Sequence, residues 1–233
     1  MRRMQLVLLV AASCLCLAGS AAAQGGMDFF KKPNIADIFK PVVGYGAVYE
    51  RQRTDQQDAP KTTMEMSVVG KEMVDGKEGY WMEVAHSEKS GQMGYAKMLI
   101  TKDDFQFHKM IMQQPGKPAM ELPFNPAEHT KSTIKEEMDK WHMVGTESIA
   151  VPAGTFSCQH WKKDQGVGDV WVSDKVSPMG MIKSVNPGDT MVLVKVLSGA
   201  TDHITGPVTK FDPQMMERMH QMQEQMQQQK PKP

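Results

Sequence analysis

Beyond position 23 the chain holds a single cysteine, Cys158, so the exported form predicted below can close no internal disulfide and must stand on an apolar core. Aromatic residues make up only 7% of the sequence. Neither sign of charge dominates: 27 basic residues face 27 acidic ones, and loss of Arg2 and Arg3 with the first 23 residues leaves 25 against 27. That balance argues against nucleic acid or an anionic membrane surface as partner. After residue 18 no apolar run approaches the roughly 20 residues a spanning helix needs, so no transmembrane segment is expected after processing. Signatures of catalysis are missing too. There is no Gly-x-Ser-x-Gly elbow, no His-Glu-x-x-His, no phosphate-binding glycine loop and no Cys-x-x-Cys, and the expectation is a protein that is not an enzyme and carries no cofactor.

What is present begins with an export signal. Arg2 and Arg3 precede an apolar stretch over 5–18, and small residues follow, with Ala21 and Ala23 where a signal peptidase reads. Cleavage after Ala23 and a periplasmic or secreted location are predicted. Lipidation at Cys14 or Cys16 is the competing reading, but Ala11 and Ser13 stand three residues before them, where Leu is wanted.

From 24 to 44 the chain mixes Gly25, Gly26, Pro33 and Pro41 with a few aromatics, a lead-in with one short helix over 35–40. Segments rich in Val, Ile, Thr, Tyr and Met then recur: 45–53, 62–69, 79–87, 94–101, 105–114 and 119–124. Asp75-Gly76, Ser90-Gly91 and Pro115-Gly116 supply turns between them. After a charged stretch over 125–140, where Ile134 and Met138 fall four apart as on a helix, strands resume at 141–149, 155–163, 169–173, 179–185 and 191–197. Strands in two runs, without alternating helices, disfavour a doubly wound α/β fold. The predicted class is mainly β, a curved antiparallel sheet or half-barrel over 45–207 with one internal helix. An amphipathic C-terminal helix completes it within a Met- and Gln-rich tail, 208–233, where Met215, Met219, Met222 and Met226 share one side.

Methionine is the compositional excess, with 22 in all and 20 beyond position 23. Met64 with Met66, Met110 with Met112 and Met179 with Met181 sit two apart, hence on one face of a strand, and His108 falls in step with Met110 and Met112. Three readings stay open for these seven residues. They fill a core where other proteins use Leu; they line a cavity for an apolar or lipid-like guest, since a pliable thioether adapts to many shapes; or they offer soft ligands for Cu(I). The tail methionines divide similarly between a packing face, docking on an envelope protein, and soft-metal binding with His220. Cys158 and His160 also lie two apart, a spacing open to a Cys/His dyad, although a strand reading Phe156, Cys158, His160 more commonly buries an inert thiol. Trp81, Trp141, Trp161 and Trp171 all fall in predicted strands, as cross-strand packing units or as an aromatic platform.

One stretch carries a resemblance. The run from Gly145 through Val151-Pro152-Ala153-Gly154-Thr155-Phe156, with Val170-Trp171-Val172-Ser173, Ser177-Pro178-Met179-Gly180, Lys183 and Met191-Val192-Leu193-Val194, resembles the end of an uncharacterised exported bacterial domain. That domain is similar to the lipoprotein-carrier (LolA/LolB-like) half-barrels, and the likeness spans about 140–206. It implies a sheet curled around helices with a cavity for acyl chains. The matching positions are turn and packing residues, so no functional residue is carried across.

Overall fold

The computed structural model describes residues 38–55, 60–87, 92–123, 139–164 and 168–210. They build one open sheet of twelve strands: β1 (Tyr45–Arg53), β2 (Thr62–Val74), β3 (Lys77–Ser87), β4 (Met93–Thr101), β5 (Phe107–Gln113) and β6 (Ala119–Leu122) form the first run. The second is β7 (Trp141–Val151), β8 (Gly154–Lys163), β9 (Asp169–Val172), β10 (Met181–Asn186) and β11 (Asp189–Ser198), and the short β12 (Val208–Lys210) closes the list. The spatial order is β12-β6-β5-β4-β3-β2-β1-β11-β10-β9-β8-β7. Two antiparallel meanders are thus joined where β1 pairs with β11, and only β12 runs parallel to its neighbour.

Local chemistry explains the meanders. Asp75 and Gly76 both take positive φ, 49° and 79°, the combination a two-residue hairpin turn needs to match strand twist. That tight turn lets β2 and β3 run longer than the sequence pattern predicts, to Val74 and from Lys77. Close approach of β1 and β2 depends on Gly46, where a Cβ would lie 2.6 Å from the Met66 carbonyl oxygen. Gly46→Ala is expected to lower stability by about 1–3 kcal/mol, the usual cost of overpacking, read as a lower urea midpoint.

The main core lies on one face, here the inner face, carrying Ala47, Tyr49, Met64, Met66, Val68, Met82, Met98 and Ile100 among others. Phe39 from the lead-in and Phe105 meet edge to face over it, 5.0 Å between centroids. Tyr49, fully buried, donates its hydroxyl to the Met181 carbonyl at 3.1 Å and so ties the first run of strands to the second. At the far end β7 comes back against β10 and β11 although three strands separate it from the latter, so the sheet curls there.

Three features differ from the sequence reading. Met179 is not in a strand: it sits in the turn before β10, where Ser177-Pro178 is cis and Gly180 takes φ 68° with no room for a Cβ beside the Ser173 carbonyl. Val208–Lys210 is a strand and not the start of the tail helix, because the free edge of β6 offers it a ladder. Of the lead-in helix over 35–40, Ile38 is helical and Phe39 and Lys40 are not. The internal helix, apart from Asp139 and Lys140 in a turn, and the tail helix lie outside the described residues.

The link from β11 to β12 constrains the fold further. Nine residues, 199–207, must pass six intervening strands. Seven strand spacings need about 33 Å, and ten extended steps reach about 33–36 Å. The segment crosses the outer face as a strap, with Asp202 and His203 set against Lys97 and Glu83.

Candidate functional site

Strand register arranges the inner face in cross-strand rows. One row reads Ala47, Met66, Val84, Ala96, Met112, Met120 from β1 to β6. The next reads Val68, Met82, Met98, Met110, Leu122 from β2 to β6. Met66, Met82, Met98 and Met110 are buried, whereas Met112, Met120 and Leu122 at the β5–β6 end are only half-buried. The rows thus pass from closed core to an apolar margin at the edge of the sheet.

Other methionines of the sequence reading join the same core from elsewhere. Met64 is buried on β2 opposite His86, Met181 lies on β10, and Met179 reaches the core from its turn. His108 departs from the row. A bulge between Leu99 and Ile100 pairs Lys109 and Phe107 across β4 and leaves His108 out of register; its Nε2 lies 3.2 Å from the Thr101 hydroxyl. Phe107 instead packs on the core. The four tail methionines Met215, Met219, Met222 and Met226 lie outside the described residues.

Cys158 and His160 share strand β8 but do not form a dyad. The Cys158 thiol is fully buried and points to the Phe156 carbonyl at 3.4 Å, while burial, and next the nearby Glu147 charge, push it up from the ordinary thiol value. A thiol held protonated is a poor nucleophile, so native Cys158 is expected to resist a neutral thiol reagent at pH 7 and to react fully after urea is added. Both ring nitrogens of His160 face carboxylates, Nδ1 at 2.9 Å from Glu147 and Nε2 at 2.5 Å from Asp169. The ring stacks on Trp171 at 4.4 Å, and Lys183 Nζ sits 5.2 Å from that indole.

The tryptophans divide between settings. Trp81 lies on the outer face between Lys97 and Lys109, Trp171 donates to Glu147 at 2.6 Å, and Trp141 and Trp161 are buried with indole N–H groups that lack a hydrogen-bond partner among the described residues. Among the described residues no three His, Cys, Asp or Glu side chains are grouped to hold a metal, and no helix is long and apolar enough to cross a membrane.

A second polar cluster, which the sequence reading missed, lies under the strap. Glu83 on β3 is 1% exposed and faces its cross-strand partner Lys97 on β4, itself 8% exposed. His203 Nδ1 lies 2.6 Å from one Glu83 oxygen and the His203 amide donates to the other at 3.2 Å; Lys97 pairs with Asp202. Burial pushes the Glu83 carboxyl up from its ordinary value, and the His203 contacts pull back against it. The folded protein therefore holds this proton more firmly than the unfolded chain does. The stability so conferred is complete below about pH 4.3, the ordinary glutamate value, and falls as pH rises through the raised value. The titratable groups facing Glu83 are Lys97 across the strand pair and, from the strap, Asp202 and His203. Glu83→Gln is expected to flatten that part of a urea-midpoint profile against pH; an unchanged slope would assign it to another group.

No family model matches the chain, and no curated protein does. Solved structures with a similar trace include a protein described as exported, with a YmcC-like fold, from Bacteroides fragilis, at 15% identity and TM-score 0.38, covering 72% of this chain and 98% of that one. A protein described as a lipoprotein from Parabacteroides distasonis matches at 15% and 0.36 over the same shares. MucB matches at 11% and 0.38; the alignment spans 72% of this chain and 57% of MucB.

Proposed function

We propose that this is an exported, non-catalytic protein that receives an apolar or lipid-like chain against the inner face of its sheet. The observation that carries the reading is the continuation of the methionine rows past the closed core, to half-buried Met112, Met120 and Leu122. Thioethers on flexible stems suit a guest without fixed shape. A gradient from buried to half-open apolar residues gives such a guest an entry margin continuous with the core. The export signal and the resemblance of 140–206 to carrier half-barrels point the same way.

Titration with a fluorescent fatty-acid analogue tests it. One saturable site, with emission shifted to the blue as the probe leaves water, is the expected outcome. Unsaturable or absent binding would leave the methionines as core filler.

A further inference from the structure

The cluster beneath the strap has the form of a recognition site. The outer face sets the Glu83 carboxyl directly across from the Lys97 amine, and both side chains are buried. The strap answers side chain for side chain: Asp202 meets Lys97 and His203 meets Glu83. Lys97 also donates to the Ile204 carbonyl at 3.3 Å, and the His203 ring stacks on Tyr95 with centroids 4.8 Å apart and planes at 15°. Ile204, 3% exposed, fills an apolar patch made by Ile111 and Ala119 and bordered by Trp81 and Tyr95. Three residues in succession are thus read by charge, ring stacking and shape. The chain then runs on into β12, where Val208, Thr209 and Lys210 pair with Ala119, Met120 and Glu121.

The same segment is set apart from the rest of the fold. None of residues 199–210 belongs to the main core, and their apolar anchorage is the small outer cluster around Ile204. All three β12 residues are exposed. Gly199 opens the strap at φ 74° with nothing within 4 Å of a Cβ position, an unencumbered pivot. Little apolar burial and solvent-facing hydrogen bonds mark segments that open locally, well before the whole protein unfolds.

We propose that the outer face of β3–β6 is a peptide-binding site, which the chain fills reversibly with its own residues 199–210 while the sheet beneath stays folded. Its ligand class is an extended peptide reading acidic residue, histidine, branched aliphatic, and continuing as a parallel strand on the β6 edge. Edge pairing supplies affinity and the side-chain pockets supply specificity. Tethering keeps the segment at a high effective concentration, on the order of millimolar for short linkers, so the site is closed to competitors in the resting protein.

Hydrogen exchange on the full chain is the first test. Amides of 200–210 are expected to exchange as a group, about a hundredfold faster than those of β3 and β4, because they open without global unfolding. Protection equal to that of β3 and β4 would overturn the proposal. The second test adds a labelled synthetic peptide spanning 199–210 to the full chain carrying Asp202→Ala and His203→Ala. Binding at least about tenfold tighter than to the unaltered protein is expected, since the cis competitor is weakened, and a peptide with the same two replacements should not bind. Equal binding to both chains, no binding to either, or a doubly substituted chain that fails to fold would each count against a separable occupant.

Discussion

Met98→Ala is expected to destabilise the protein by about 2–5 kcal/mol, the range for emptying a methionine-sized space in a packed core. Met98 is 1% exposed and stands on β4 between Met82 and Met110 in the second inner row. Val68 and Leu122 complete that row, so the side chain has apolar neighbours along it on both sides. Met98→Leu keeps volume and polarity and should cost less than about 1.5 kcal/mol. Urea unfolding followed by tryptophan emission separates the two. If alanine cost no more than leucine, the centre of the inner face would not be close-packed, and the guest would have to be placed over Met98 instead of at the β5–β6 margin.

Met120→Lys should remove the apolar guest and leave the fold standing. Met120 is half-buried on β6, beside Met112 across the strand pair. A lysine there places an ammonium where the guest's hydrocarbon would lie, and an uncompensated charge against hydrocarbon is strongly unfavourable. Its aliphatic stem can still cover the neighbouring surface while the head reaches water. Loss of affinity of at least about tenfold, near 1.4 kcal/mol, is therefore expected with little change in thermal midpoint. Met73→Lys is the control, because Met73 on β2 is 65% exposed. Equal binding by Met120→Lys and Met73→Lys would remove the β5–β6 margin as the site.

The strand content of this fold was legible because period-two alternation and turn residues are local signals. β1 occupies the 45–53 span that the pattern predicts, and Asp75-Gly76 marks the β2–β3 hairpin from composition alone. Pairing between β1 and β11 was not legible, since their partners lie about 140 residues apart and no local signal fixes such a ladder. Met64, Met66, Met110 and Met112 fall on the inner face as their spacing implies, but the bulge at β4–β5 turned His108 out of the row. Bulges shift alternation by one residue without a compositional mark. Met179 was misplaced because the turn at Ser177-Pro178 runs on through Met179 to Gly180, and one methionine inside a turn looks like the first residue of the strand that begins at Met181. Glu83 was hidden for a related reason: a charged residue alternating with Met82 and Val84 reads as solvent-facing, and the strap that buries it is 120 residues further along the chain.

The inner-face reading meets its most direct test in the protein isolated from the envelope of a bacterium that exports it, analysed by native mass spectrometry with lipid extraction. An additional mass that extracts as an apolar chain, present with the unaltered protein and lost with Met120→Lys, is the predicted result. An unaltered protein that flies empty, and that takes up no chain when offered lipid vesicles, would contradict it.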